Sequence, residues 1–260
     1  MAIDPSAVGE RLHRAYAEAD PVASAFGDDA ATVADGYEAQ RAFVDRRLPA
    51  EGPAVGYKVG FTTEAVRADV GVDRPVFGRV LADTVLSGDR IDVGPLIAPR
   101  IEPEIAFLLD DALEPPVTPF DVLGATQAVV PTVEVVDSRV RDWDVTAAGA
   151  VADNALAARV LPGRQTGAVD RDLGLEGVRV RVDGEVRGAG TGAAVLGHPA
   201  RAVAWLAEAL AGHDERLAAG DAVLTGSITE PIPVAPGETL TVEFASLGTV
   251  TAGVVRDGSP

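Results

Sequence analysis

The sequence predicts one α+β domain, in which a helical N-terminal portion packs on a core rich in antiparallel or mixed sheet. Apolar residues recur at helical spacing in the first 50 residues, and short runs typical of strands follow from about residue 53. No repeat or low-complexity linker divides the 260 residues. We therefore expect a single domain over 1–260, with the helical portion at 1–50 and the β-rich core at 51–260.

Two helices and then several strands are predicted in chain order. Val8 and Leu12 have helical spacing in the first predicted helix, and Phe43 and Leu48 have it in the second. The predicted helices are 5–19 and 34–48. The predicted strands that follow them are 54–61, 100–109 and 129–136.

The C-terminal half adds a hairpin, a helix and another strand. Valines alternate with arginines over 178–182, and Asp183-Gly184 then supplies the residues of a tight hairpin turn. A helix is expected over 199–212, because proline opens it and glycine ends it. The alternation over 239–244 predicts a strand with one polar face.

The charge balance disfavours two classes of partner. Asp and Glu total 40 against 22 basic residues, which gives a net charge of -18. Such a chain is repelled by nucleic acid and by anionic membranes. Few lysines and a halophile-like acidic surface lead to the hypothesis of a potassium-rich cytosol, where molar salt would screen the self-repulsion.

The absence of cysteine and the hydropathy of the chain exclude several further kinds of site and of protein. The chain has no cysteine, which excludes disulfides, thiolate catalysis and cysteine-based zinc sites. The N-terminus has no basic segment followed by an apolar run, and no stretch approaches the roughly 20 apolar residues of a membrane span. We expect a soluble, cytoplasmic protein.

The chain contains a single lysine, Lys58, beside 21 arginines. It lies in an apolar run between Val55 and Phe61, which predicts partial burial. Arginine cannot replace an ammonium group that must shift its pKa or move a proton. Lys58 is therefore a candidate catalytic residue, although the survival of one lysine by chance would look the same.

Three glutamates form a candidate metal site. Glu102 and Glu104 are two apart in a predicted strand and so share a face. Glu134 lies in an apolar strand, where an unpaired carboxylate is costly. A hard divalent cation with oxygen ligands, Mg²⁺ or Mn²⁺, would explain all three. Pro103 between the first two predicts a strand that is at an edge or irregular.

Separate salt bridges are the alternative explanation of these carboxylates. Arg100 would then pair with Glu102, and Arg139 with Glu134. Asp137 is close enough in sequence to share the site of Glu134. The glycine run at 188–192 is interpreted as a flexible turn, because it does not open a helix as a phosphate loop would.

Several of these residues lie in motifs that resemble one known family. The chain is similar to the 2-keto-4-pentenoate hydratase and 4-oxalocrotonate decarboxylase family, part of the fumarylacetoacetate hydrolase superfamily. The resemblance covers nearly the whole chain, and the matching motifs are GYKVGFT at 56–62, GVDRP at 71–75, PRIEPEIA at 99–106, VEVVDSR at 133–139, ADN at 152–154, LGHP at 196–199 and LTGS at 224–227.

The resemblance implies a fold, a cofactor and a site. The fold is a mixed β-roll of the fumarylacetoacetate hydrolase C-terminal-domain type with flanking helices, so that 51–260 is the β-roll catalytic core, usually in a homo-oligomer. The cofactor is Mg²⁺ or Mn²⁺. The implied site residues are Glu102, Glu104 and Glu134 as metal ligands, Lys58 as the catalytic residue, and Asp137 and Ser227 as substrate ligands.

The implied activity is hydration of a 2-hydroxy-2,4-dienoate from aromatic meta-cleavage, giving a 4-hydroxy-2-oxo acid. Val76 departs from the hydratase branch of the family, because the hydratases typically have Asp at this position. An apolar residue there is more like the decarboxylase branch. Arg139 to Trp143, in contrast, is more like the hydratases. The alternatives are metal-dependent decarboxylation of a 2-oxo-3-hexenedioate, acylpyruvate hydrolysis, and a non-catalytic partner subunit. A partner enzyme of the same pathway is also expected by analogy.

Overall fold

The N-terminal portion is a pair of helices. The computed structural model describes residues 3–27 and 30–257. Helix α1 (Pro5–Glu18) begins after Asp4, whose carboxylate accepts from two backbone amides, and α2 (Val33–Glu51) begins with a capping box between Thr32 and Asp35. Both predicted helices are present. None of the helices in the described ranges has the length and apolar composition that crossing a bilayer requires.

Twelve strands and four further α-helices follow within the described residues. In chain order they are β1 (Ala54–Gly60), α3 (Glu64–Val70), β2 (Val76–Leu81), β3 (Arg90–Asp92), β4 (Arg100–Leu109), α4 (Pro119–Gly124), β5 (Thr126–Val136), α5 (Ala147–Ala152), β6 (Ala157–Pro162), β7 (Gly177–Val182), β8 (Glu185–Thr191), α6 (Pro199–Ala211), β9 (Ala222–Leu224), β10 (Ile232–Pro233), β11 (Thr239–Phe244) and β12 (Gly248–Val255). Each strand and helix predicted from the sequence has a counterpart among them.

The strands form two sheets. The seven-stranded sheet has the order β2-β1-β9-β4-β5-β6, and β10 pairs with β4 off this path. Its pairs are antiparallel except for β1 with β9. The five-stranded sheet has the order β3-β12-β11-β7-β8 and is parallel only between β12 and β3. This mixed architecture, with helices packed around it, confirms the predicted α+β class.

The main core lies between the two sheets and under α6. It contains Ile105 and Phe107 of β4, Val242 of β11 and Leu206 of α6, all fully buried. Because side chains alternate along β4, these apolar residues occupy one face and leave the other for polar side chains. A second cluster, which includes Phe43, joins α1 and α2 to α5.

The strand that contains Pro103 was expected to be at an edge or irregular; it is central in the sheet, but its pairing is interrupted at Pro103 on one side. Strand β4 pairs with β5 on one side, where Pro103 faces Val133, and with β9 and β10 on the other. The Pro103 carbonyl accepts from Ile228 N at 3.0 Å, in the gap between β9 and β10. The N–H and the C=O of one residue point to the same side of an antiparallel strand, so an N–H at position 103 would also face this gap. Its absence in proline therefore removes no backbone hydrogen bond between paired strands.

The glycine run at 188–192 is also not a flexible turn. Gly188 and Gly190 belong to strand β8. A Cβ atom at Gly190 would lie 2.3 Å from the Ile228 carbonyl oxygen, so glycine is needed where the two backbones approach. The hairpin turn before this strand is as predicted, with both Asp183 and Gly184 at positive φ.

Candidate active site

The pairing of β4 with β5 brings the three glutamates together. Glu102 and Glu134 are direct register partners, and Glu104 lies two residues further on the same face of β4. Each residue offers one carboxylate oxygen, and these oxygens lie within 4.8 Å of one another. Like charges directly opposite each other destabilise a sheet, so this carboxylate cluster (Glu102, Glu104 and Glu134) needs a compensating positive charge.

The cluster is deep in the protein and short of hydrogen-bond donors. Glu104 and Glu134 are fully buried, and Glu102 is partly buried. Glu104 Oε2 accepts from Gly226 N at 2.8 Å, whereas Glu104 Oε1 and both Glu134 oxygens accept no hydrogen bond within the described ranges. Buried orphan oxygens of this kind are what a hard divalent cation would coordinate. The donor set therefore fits Mg²⁺ or Mn²⁺.

The protonation of the cluster reflects the same shortage of positive charge. Burial raises the pKa of Glu102 to about 7 against the pull of Lys58, and the charge of Glu134 adds to this rise. Burial together with Glu134 holds the pKa of Glu104 well above its ordinary value. Without a cation the cluster therefore holds protons near neutral pH, and a bound cation would replace them.

Lys58 lies beside the cluster on β1. Its side chain is buried, and Nζ lies 3.2 Å from Glu134 Oε2 and donates to the Ala155 carbonyl at 2.9 Å. Burial opposes the positive charge, but Glu134, Glu102 and Glu104 outweigh it and raise the pKa of Lys58. Lys58 is therefore an ammonium group, a donor of hydrogen bonds and of positive charge.

A cavity of about 540 Å³ opens in front of these residues. Lys58 and Glu102 lie in its wall, and most of the remaining lining is apolar, including the buried Val76. Arg100 adds a guanidinium, which stacks at 4.0 Å on the ring of Trp143. The cavity thus combines an apolar wall with two cations and a candidate metal site, a suitable chemistry for a small organic anion.

The two predicted substrate ligands have different positions. Ser227 lines the cavity, and its hydroxyl donates to the Thr229 carbonyl at 2.7 Å. The structure does not bring Asp137 into the cavity lining. Its buried carboxylate accepts from Ile97 N at 2.9 Å and Ala98 N at 2.7 Å, so it holds the segment that leads into β4.

The alternative of separate salt bridges does not describe the cluster. Arg139 pairs with Asp153 in the interior, and Arg100 stacks on Trp143. Among the described residues, the cation within ion-pair distance of the cluster is Lys58. The sequence predicts for Arg100 only a pairing with Glu102; its place in the cavity wall depends on Trp143, which is 43 residues away in the chain.

Comparison with known proteins places this geometry in a family. Residues 72–255 match the family model described as fumarylacetoacetate (FAA) hydrolase C-terminal. A 4-oxalocrotonate decarboxylase of Pseudomonas sp. (strain CF600) is 42% identical over 225 residues, 85% of each chain. A 2-keto-4-pentenoate hydratase 2 of Dechloromonas aromatica (strain RCB) is 36% identical over 95% of this chain and 96% of its own.

The fold also matches a solved structure along nearly its full length. The 4-oxalocrotonate decarboxylase from Pseudomonas putida G7, complexed with magnesium and adipate, superposes with a TM-score of 0.92 at 37% identity. The match covers 96% of this chain and 97% of that one. The same enzyme complexed with calcium and acetate gives a TM-score of 0.91.

Proposed function

This chain belongs to the fumarylacetoacetate hydrolase family, and we propose that it is a metal-dependent lyase that decarboxylates a 2-oxo-3-enedioate. The predicted family, fold class and divalent-metal-dependent enzyme class are confirmed by relatives that include both hydratases and decarboxylases. The resemblance in sequence implies hydration first, with decarboxylation as the alternative. The choice between them rests on the wall of the cavity.

Val76 is the observation that favours decarboxylation. It pairs with Gly60 across β1 and β2, two residues from Lys58, and its buried isopropyl group lines the cavity. The hydratases resembled here typically have a carboxylate at this position, which would orient water. Loss of carbon dioxide needs no water-activating group, and an apolar wall disfavours a carboxylate relative to neutral carbon dioxide.

The metal ligands and Lys58 would share the charge that develops in the reaction. Glu102, Glu104 and Glu134 are the residues that would hold Mg²⁺ or Mn²⁺. The bound cation supplies Lewis-acid stabilisation of negative charge at the 2-oxygen of the substrate. Lys58 donates a hydrogen bond toward the same region and stabilises the dienolate through its positive charge.

The electron count of the step is simple. The bond between C5 and C6 breaks, its electron pair moves through C4 and C3 to the 2-oxygen, and C6 leaves as carbon dioxide. The product is a 2-hydroxy-2,4-dienoate once the oxygen is protonated. Arg100, held on Trp143, provides a guanidinium for a substrate carboxylate, in keeping with a dicarboxylate substrate.

Hydration of a 2-hydroxy-2,4-dienoate is the second candidate. Asp69 and Glu230 also line the cavity, and either carboxylate is placed to orient a water molecule. In that reaction the dienol ketonises and water adds at C4. Hydratases match this chain at an identity similar to that of the decarboxylases, which supports hydration as the second candidate. The homo-oligomer, the partner enzyme, the cytoplasmic location and the extent of the single domain stay predictions.

A two-substrate assay tests the proposal. Purified protein with Mg²⁺ in KCl would be given 2-oxohex-3-enedioate and 2-hydroxypenta-2,4-dienoate separately, with carbon dioxide and conjugated absorbance followed together. Carbon dioxide from the first substrate is the expected result. Consumption of the second alone would establish the hydratase instead, and inactivity with both would favour the hydrolase or the non-catalytic subunit.

A further inference from the structure

The Lys58 ammonium has three N–H donors, and one of them is hydrogen-bonded among the described residues. This hydrogen bond goes to the Ala155 carbonyl at 2.9 Å, and Glu134 Oε2 lies within ion-pair distance of Nζ at 3.2 Å. Lys58 also lines the cavity, so an N–H donor is left for a substrate. The direction of that donor therefore depends on where the Ala155 carbonyl is held.

The Ala155 carbonyl comes from an unusual backbone segment. Asn154, Ala155 and Leu156 have φ values of 53°, 49° and 66°, three consecutive non-glycine residues in the left-handed region. The left-handed conformation brings Cβ too close to the following carbonyl oxygen, and normally only isolated residues adopt it. A left-handed turn of this length (Asn154–Leu156) persists only where the surroundings hold it.

The Asn154 side chain is the clamp on this turn. Its Oδ1 accepts from Arg79 N at 2.7 Å, and its Nδ2 donates to the Arg79 carbonyl at 2.8 Å. These two bonds occupy the free edge of β2, which pairs with β1 at Lys58 through Gly78. A Cβ at Gly78 would lie 2.4 Å from the Asn154 carbonyl oxygen, so the turn is pressed directly against the strand beside Lys58.

Both ends of the turn are tied as well. Before it, the buried Asp153 pairs with Arg139, and after it, the Leu156 carbonyl accepts from Asp137 N at 2.9 Å. The composition singles out the same place: Asn154 is the only asparagine in 260 residues, as Lys58 is the only lysine. The amide is required chemically, because one group must both accept from and donate to the backbone of a single residue.

We propose that Asn154 is a positioning residue for Lys58: by clamping the left-handed turn to β2, it holds the Ala155 carbonyl where it aims a free N–H of the ammonium at the substrate. Asn154 itself does not touch the substrate; it is buried and acts through the turn. The inference rests on the proposed function only for the role of Lys58 in catalysis. The geometry of the clamp is independent of which substrate is used.

The kinetic test compares two buried amides that bridge the same elements. In Asn154→Ala we expect kcat to fall about 10- to 100-fold with KM within about threefold, because displacement of a reacting group by about 1 Å has an effect of this size. Gln40→Ala is the matched control. Gln40 on α2 donates from Nε2 to the Phe77 and Val151 carbonyls and accepts at Oε1 from the Arg79 guanidinium, so it ties β2 to the end of α5 without a hydrogen bond to Asn154, Ala155 or Lys58.

We expect Asn154→Ala and Gln40→Ala to lose stability equally but to lose kcat unequally. Gln40→Ala should lower Tm as Asn154→Ala does, yet keep kcat within about twofold. Asn154→Asp keeps the acceptor for Arg79 N but loses the donor, so it should fall between wild type and Asn154→Ala and serves if the alanine variant does not fold. An Asn154→Ala enzyme with wild-type kcat, or a Gln40→Ala enzyme with the same kcat loss, would overturn the proposal.

A spectroscopic test does not depend on activity. With a single lysine, ¹⁵N-labelled protein has one lysine ammonium resonance. We expect it to be observable in wild type and in Gln40→Ala, and broadened by proton exchange in Asn154→Ala and Asn154→Asp. An unchanged resonance in the Asn154 variants would refute the clamp. Wild type inactive on both substrates, with the expected resonances, would instead refute the proposed function alone.

Discussion

Single residue types carry most of the functional information in this chain. A buried ammonium lies 3.2 Å from one carboxylate of a three-carboxylate cluster, and no other residue type would balance the charges in the same space. Arginine supplies the charge, but its planar fork is larger and cannot place one compact donor between the Ala155 carbonyl and Glu134. The chain is rich in arginine and still has lysine here.

Replacement of Lys58 by arginine tests this point. We expect Lys58→Arg to lower kcat at least about 100-fold, in the range of a lost proton-transfer or charge-stabilising group. Mg²⁺ affinity, measured by calorimetry, should change much less, because the three carboxylates remain. Full activity in Lys58→Arg would contradict a catalytic role for Lys58.

The raised carboxyl pKa values predict a pH-dependent metal affinity. Glu102 has a pKa of about 7 in the metal-free fold, against 4.5 as its ordinary value. Since Mg²⁺ must displace this proton, its affinity should rise as the pH increases from 6 to 8, with proton release detectable in buffers of different ionisation enthalpy. A pH-independent affinity with no released protons would contradict the assignment.

The same group affects stability in the metal-free protein. Between its unfolded and folded pKa values the folded state binds a proton that the unfolded state has lost, so stability falls as the pH rises through about 7. With EDTA, Tm should therefore be lower at pH 8 than at pH 6, and Mg²⁺ should raise Tm more at pH 8. Glu102→Gln, which cannot titrate, should reduce the difference.

At the scale of elements, the position of the site depends on strand register. A slip of one residue between β4 and β5 would separate Glu102 from Glu134 and turn the apolar face of β4 outward. On the other side of β4, strand β9 lies between β4 and β1, and β1 pairs with β9 in parallel from Gly56 to Lys58. Close backbone approach at that point holds Lys58 at its distance from the carboxylates.

A substitution at Gly56 tests the importance of this approach. A Cβ atom there would lie 2.0 Å from the Ala222 carbonyl oxygen, and backbone cannot move aside as a flexible side chain can. We expect Gly56→Ala to destabilise the protein by about 3 kcal/mol, measured by denaturant unfolding. Gly253→Ala is the matched control, because a Cβ there meets nothing within 4 Å in strand β12. Equal stability of both variants would contradict the role of Gly56.

For the molecule as a whole, the net charge of -18 is the dominant property of the surface. Charge repulsion of this kind favours the expanded chain and is relieved by salt, since the Debye length falls from about 10 Å at 0.1 M to about 3 Å at 1 M. The lining of the candidate active-site cavity has both signs of charge, with Lys58 and Arg100 beside Asp69, Glu102 and Glu230.

The salt dependence of stability follows from this charge. Tm should rise as KCl is increased from 0.1 M to 2 M at constant pH and Mg²⁺. A series in sucrose without added salt separates screening from general solute exclusion, because sucrose does not screen charge. The same Tm at low and high KCl would refute the hypothesis of adaptation to a salt-rich cytosol.

The sequence alone determined the class of fold and the elements, and it supplied the candidate site residues. Periodicity depends on local geometry, so the helices and strands were predictable, and motif order identified Lys58 and the carboxylate cluster. Only the tertiary structure decided what those residues contact. Pro103 proved central, Asp137 turned away from the cavity, and Asn154 became linked to Lys58, because each outcome depends on pairing between segments far apart in the chain. Local sequence patterns do not encode which strands become neighbours.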